Sequence, residues 1–364
     1  MVMRDITAQA LQRCDGDNTC PGGQRLFVVT FYACRGAPTG LEEDLGMNIL
    51  IALVMFGIGL GLIIFFAEQL VKGVVGTSLG FGLSAFLLSV IFIGFDPDNL
   101  AVGAVASAEG VSGIALGSIL GGAMVAIALA FGISAVVAPM TFTQVPPQVI
   151  GVQMLAIVLL AALMLDGQLS RIDGAVLLVG FVLAVLYLVR LGRRGLDIKP
   201  AGEVGHRLQK GNIPGRWLSV GLFGLSLIAI VVGSELLVRG AQTLLTRFQI
   251  ADLPFGMTVL AFLVSIEELE RELPAARQRR PDISFGNVLG SMLAFFLCNA
   301  GIIALVRPVP VDRVVLTFYL PLAVLTTAVV SGIMLTKRVP RWAGGLLIML
   351  YLIFVVGGWL AWLG

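Results

Sequence analysis

Residues 93–103 read IGFDPDNLAVG, in a part of the chain so apolar that Asp96, Pro97, Asp98 and Asn99 stand where a lipid-embedded helix is expected. Acids in hydrocarbon are expensive and are kept for function, and a proline removes a backbone donor, so the tetrad reads as a break within a membrane span. The whole 364-residue chain is 58% hydrophobic and 13% charged, against roughly a quarter charged for a soluble domain. From residue 47 onward, apolar runs recur at lengths that cross about 30 Å of hydrocarbon as helices. They do not alternate with a period of two, which excludes a barrel, and lipid admits only helices or closed barrels. The sequence therefore predicts an all-α membrane protein of ten transmembrane helices, near 47–70, 80–107, 113–138, 147–165, 172–191, 216–241, 254–275, 283–306, 313–335 and 341–363.

The one sizeable polar connection, residues 192–215, divides these spans five and five. Lys and Arg accumulate on cytoplasmic loops. If the first span runs outside to inside, the inner connections carry Lys72, Arg190, Arg193, Arg194, Lys199, Arg207, Lys210, Arg216, Arg277, Arg279, Arg280, Lys337, Arg338 and Arg341. The outer connections carry only Arg171, Arg239, Arg247, Arg307 and Arg313, which places both termini outside. A formal net charge of +2 decides nothing further and no segment suggests nucleic-acid binding, so the lipid bilayer is the partner that composition implies; the oligomeric state is not legible. Residues 1–46 are polar, contain Cys14, Cys20 and Cys34, and lack the pattern of a signal peptide. Two readings stay open for them: a non-native extension ahead of a start at Met47, or an outer tail with one disulfide. Cys298, in an apolar helix, reads as an inert core residue.

The chain repeats itself. AEQLVKG at 67–73 lies over SELLVRG at 234–240 with an offset of 167, placing Glu68 on Glu235, Lys72 on Arg239 and Gly73 on Gly240. DNLAVGAVASAEGVSGIALGSILGG at 98–122 lies over EELERELPAARQRRPDISFGNVLGS at 267–291 with an offset of 169, placing Gly117 on Gly286 and Gly121 on Gly290. Five spans separate equivalent positions, and an odd number turns the second copy upside down. The expected organisation is a first five-helix repeat at 47–191, the basic cytoplasmic linker at 192–215 and a second, inverted repeat at 216–364. Inverted repeats with helices broken at equivalent places point to a secondary transporter with its site near the midplane. The counterpart of the 96–99 break is Ser265 to Glu268 in the seventh span.

On these stretches, and on LDGQLSRIDGAVLLVGFVLAVLYL between spans four and five, the chain from Met47 onward resembles the sodium/calcium exchanger family of the calcium:cation antiporter superfamily. The resemblance implies two repeats, each Gly-Thr-Ser-x-Pro-Glu-Leu followed by Gly-Asn-x-x-Gly-Ser-Asn-x-x-Asn or Asp, whose glutamates bind Ca²⁺ and whose Thr, Ser and Asn or Asp groups complete Ca²⁺ and Na⁺ sites. Counted back from Gly117 and Gly286, the two glutamates fall on Asn99 and Glu268. The Ser and Pro of the first repeat become Asp96 and Asp98, and the Pro of the second becomes Glu267. The Thr positions become Phe95 and Val264, and the later Asn or Asp positions become Ala126 and Phe295. The family's fold is implied; its ion and stoichiometry do not carry over. The resemblance also implies that the first and sixth spans shift against a core of spans two, three, seven and eight.

Hard divalent cations take six to eight oxygens, or six for Mg²⁺. Asp96, Asp98 and Asn99 from one half and Ser265, Glu267 and Glu268 from the other are the candidate ligands, with Ser118, Asn287 and Ser291 in support. His206 in the linker and the isolated Cys298 give no soft-metal site. Clustered acids disfavour one another's ionisation, which keeps H⁺ beside Na⁺ as the coupling ion. Arg271, three and four residues after Glu268 and Glu267, could pair with either, while Glu270 and Glu272 are expected to face the inner aqueous side. Glu68 with Lys72 and Glu235 with Arg239 read as ordinary i, i+4 pairs, and the Gly-x-x-x-Gly pairs as packing devices. The expected function is a plasma- or inner-membrane antiporter exchanging Ca²⁺, or a similar divalent cation, for Na⁺ or H⁺, with no cofactor. The alternatives are a Mg²⁺ or Mn²⁺ exchanger and an uncoupled channel or cation sensor, with an intramembrane aspartyl hydrolase last.

Overall fold

A computed structural model describes residues 48–80, 96–142, 145–193, 215–277 and 281–363. The expectations for the N-terminal extension, for nearly all of the linker, and for the first half of span two with Phe95 lie outside the described residues.

The described chain is helical almost throughout: α1 Ile49–Gly80, α2 Pro97–Glu109, α3 Ser112–Val137, α4 Pro147–Met164, α5 Arg171–Arg193, α6 Arg216–Phe248, α7 Asp252–Val264, α8 Ile266–Arg277, α9 at 281–306, α10 Val315–Leu335 and α11 Arg341–Leu363. Eight of these are long and apolar enough to cross a membrane. The seventh span is not one helix but two, α7 and α8, which meet at Ser265 (φ −95°, ψ 16°). The protein is thus an all-α integral membrane protein built as two inverted five-helix repeats.

Span length is where the sequence expectation fell short. α1 and α6 run to 32 and 33 residues, continuing past the expected ends at 70 and 241 to Gly80 and Phe248. Lys72 reaches Glu68 at 3.3 Å and Arg239 reaches Glu235 at 2.7 Å, the expected i, i+4 pairs; Arg239 also approaches Glu109 of α2 at 3.6 Å.

The inversion shows in the contacts. Four two-residue strands, β1 Met140–Thr141, β2 Gln168–Leu169, β3 Val309–Pro310 and β4 Arg338–Val339, close two antiparallel pairs, β1 with β4 and β2 with β3. Each pair joins one connection from each half, and exchanging the halves converts one pair into the other. The helices obey the same exchange. A Cβ on Gly344 of α11 would meet the Gly132 carbonyl of α3 at 2.5 Å, and one on Gly174 of α5 would meet the Gly301 carbonyl of α9 at 2.7 Å.

α3 and α9 form the centre. Within their most apolar windows 83% of residues are buried, against 17% for α1 and 28% for α6, whose apolar side chains face outward to lipid. Both central helices contain wide π turns at equivalent positions, Val125–Ala130 and Ala294–Asn299, a local widening frequent at functional sites. Small residues let them approach the broken helices. A Cβ on Gly256 of α7 would stand 2.7 Å from the Gly113 carbonyl carbon and 2.8 Å from Ile114 Cα of α3, both backbone atoms that cannot swing aside. Gly256→Leu is therefore expected to lower the melting temperature in detergent, since overpacking costs about 1–3 kcal/mol or more. Gly57→Ala, where a Cβ meets nothing within 4 Å, is the neutral control.

Candidate cation site

Two helices start inside the protein. α2 begins at Pro97, whose ring presets the helical φ and whose missing N–H is one the first turn does not use. Asp96 is its N-cap: Oδ1 accepts the Asn99 backbone N–H at 3.1 Å. α8 begins after Ser265 and carries Glu267 and Glu268 in its first turn. Helix N-termini present unpaired N–H groups and a partial positive charge, which favours carboxylates there. The opening tetrad and its counterpart in the other half are thus two acid-bearing helix starts facing one another.

The side chains converge. Carboxyl oxygens of Asp96, Asp98 and Glu267 all lie within 4.8 Å of one another, a separation that two Ca–O bonds of about 2.4 Å can span. Asn99 Nδ2 donates to Asp96 Oδ2 at 2.9 Å and to Ser265 Oγ at 2.8 Å, tying the halves together. Among the described residues no group donates to either oxygen of Asp98 or to Asn99 Oδ1, although both residues are at most 1% exposed. Buried oxygens without donors are costly, and these three are of the hard type that a Ca²⁺-like ion takes.

Glu268, fully buried, is the most heavily bonded acid: Oε2 accepts from Asn287 Nδ2 at 2.9 Å, and Oε1 accepts from Ser291 Oγ and Arg271 Nη1, both at 3.4 Å. Arg271 also pairs with Glu267 at 2.5 Å. The expected supporting groups Asn287 and Ser291 therefore reach Glu268, whereas the Ser118 hydroxyl donates to the Ile114 carbonyl of its own helix at 3.2 Å. On the flank of the site, Gly122 faces both Phe295 Cε1 and Asn99 Oδ1, at 2.7 and 3.0 Å from where its Cβ would stand, so an aromatic ring walls the asparagine.

One residue corrects the sequence expectation. Glu270 is exposed, but Glu272 does not face water: it is 1% exposed, and its Oε1 accepts from Asn287 Nδ2 at 2.9 Å. Its spacing of four from Glu268 places both on one helix face, a signal present in the sequence.

A buried carboxylate cluster at the junction of two inverted halves, approached by helices that begin within the membrane, defines a secondary transporter of cations. The chain belongs to the sodium/calcium exchanger protein family, which matches residues 51–190 and 218–360. It is similar to the inner membrane protein YrbG of Escherichia coli, 27% identical over 328 residues that cover 86% of this chain and 96% of that one. The putative antiporter CaxA of Alkalimonas amylolytica is 27% identical over 314 residues, covering 83% and 97%. Among solved structures, the sodium-calcium exchanger NCX_Mj soaked with Na⁺ and Sr²⁺ superposes with a TM-score of 0.56 at 27% identity, over 84% of this chain and 98% of that one. The protein is accordingly a cation antiporter of the membrane, not an enzyme.

Proposed function

We propose that the protein exchanges Ca²⁺, or a similar divalent cation, for Na⁺ or H⁺ by alternating access, with Asp96, Asp98, Asn99, Ser265, Glu267 and Glu268 as ligands. The observation that carries this reading is the meeting of Asp96 and Asp98 from one half with Glu267 from the other within 4.8 Å. Three carboxyl groups at that spacing supply the charge and the hard oxygens of a Ca²⁺-like site, and a site shared by two inverted halves can open to either side. The likeness to YrbG supports the inner or plasma membrane as its place. The bias of Lys and Arg toward one set of connections supports termini on the outer side and a cytoplasmic linker at 192–215, and the place of that linker between two sets of spans supports five-helix halves at 47–191 and 216–364.

The test is ⁴⁵Ca²⁺ uptake into proteoliposomes under an outward Na⁺ gradient, an outward H⁺ gradient, or neither. Uptake that requires one gradient names the coupling ion. Uptake that proceeds equally without any gradient would make the protein a channel, and no Ca²⁺ uptake under either, with Mn²⁺ or Mg²⁺ uptake instead, would reassign the substrate.

A further inference from the structure

Glu272 stands apart from the six proposed ligands. It lies one turn beyond Glu268 along α8, toward Arg277, and the Asn287 amide nitrogen that donates to its Oε1 at 2.9 Å also donates to Glu268 Oε2 at 2.9 Å. The other oxygen of each side chain, Glu272 Oε2 and Asn287 Oδ1, has no donor at ordinary hydrogen-bond length among the described residues, although the residues are only 1% and 3% exposed. Ser284, one turn before Asn287 on α9 and fully buried, turns its hydroxyl toward the same carboxyl. The charged groups that face Glu272 are Glu268 and Arg271, both on its own helix. α3, which also packs against α8, carries Ser134 as its one polar side chain over 125–137.

We propose that Glu272, Asn287 and Ser284 form a separate station for a hard monovalent cation, Na⁺ foremost, one helical turn from the divalent site. The proposal rests on the reading of Glu268 as a divalent-cation ligand. The donor set is one carboxylate, one amide oxygen and one hydroxyl, all hard oxygens, with a single formal charge that a monovalent ion balances. Asn287 Nδ2 already bridges carboxylate oxygens of Glu268 and Glu272, and an amide turned by half a rotation presents Oδ1 in its place. A cation at Glu272 sits about 6 Å from one at Glu268, the spacing of i, i+4 neighbours on a helix. Two like charges at that distance in a buried setting repel, so the occupancies compete. Exchange requires such competition.

The experiment uses the purified full-length protein in detergent and measures equilibrium binding of ²²Na⁺, and of ⁴⁵Ca²⁺ in Na⁺-free buffer. Glu272→Gln is expected to weaken ²²Na⁺ binding about 10-fold or more, because ligand charge sets cation affinity, while ⁴⁵Ca²⁺ binding stays within about twofold and Ca²⁺ displaces ²²Na⁺ from the wild type. Unchanged ²²Na⁺ binding in Glu272→Gln overturns the station, as does parallel loss of both ions. If Glu272→Gln does not elute as a monodisperse folded species, Ser284→Ala carries the test: weaker ²²Na⁺ binding supports the station and unaltered binding overturns it. Wild-type protein that binds ²²Na⁺ but not ⁴⁵Ca²⁺, with the ²²Na⁺ lost in Glu272→Gln, keeps the station and removes the Ca²⁺ reading, so the two fail separately.

Discussion

Glu268→Gln is expected to abolish gradient-driven Ca²⁺ uptake into proteoliposomes, a fall on the order of 100-fold, since ligand charge count moves Ca²⁺ affinity over several decades. The substitution keeps the shape of the side chain and removes its charge. Glu268 is fully buried and its two oxygens accept from Asn287, Ser291 and Arg271. Glutamine retains one acceptor and adds an NH₂ that points at donors, so at least one of these bonds is lost and donor faces donor. Truncating one partner of a buried charge network costs several kcal/mol, and a lowered melting temperature should accompany the loss of uptake. The diagnostic comparison is Ser291→Ala, which removes only a long 3.4 Å hydrogen bond to Glu268. It should retain most of the uptake. Full uptake by Glu268→Gln at saturating Ca²⁺ would remove this residue from the ligand set.

The inverted repeat was legible because it is written twice: the offsets of 167 and 169 align glycines and charged pairs that the fold then places in exchange-related contacts. The helix starts at Pro97 and Ile266 were legible for a local reason, since Asp-Pro and Ser-x-Glu-Glu in apolar runs are helix-start chemistry. What escaped depends on long-range packing. Glu272 falls in ELERELPAAR, a polar run that reads as an interface, yet α3 and α9 cover it. Ser118, expected in support, donates its hydroxyl hydrogen to the carbonyl four residues back, as a serine inside a helix can, a choice the sequence does not announce. The strand pairs β1–β4 and β2–β3 are two residues long and join connections roughly 140 to 200 residues apart, too short to leave a period and too distant for a local signal.

Asp98→Asn should do the opposite of Glu268→Gln to stability while sharing its effect on the ion. Both carboxyl oxygens of Asp98 are buried without a donor among the described residues, and carboxyl oxygens of Asp96 and Glu267 lie within 4.8 Å. An unpaired acid beside two others lowers the stability of the cation-free protein. The asparagine amide removes one charge from the cluster and supplies an NH₂ that can donate to Glu267. Melting in chelator is therefore expected to rise by an amount corresponding to roughly 1–3 kcal/mol, the cost of leaving a buried polar group unsatisfied. Added Ca²⁺ stabilises the wild type through mass action, because only the folded protein holds the site. In Asp98→Asn that Ca²⁺-dependent rise should shrink or vanish, so the two melting curves cross as Ca²⁺ is titrated. A crossing ties the unpaired oxygens to cation binding, since a purely structural acid would shift both curves together. If Asp98→Asn instead melts below the wild type in chelator and keeps the full Ca²⁺ increment, Asp98 belongs to the packing of α2 and the ligand set loses it.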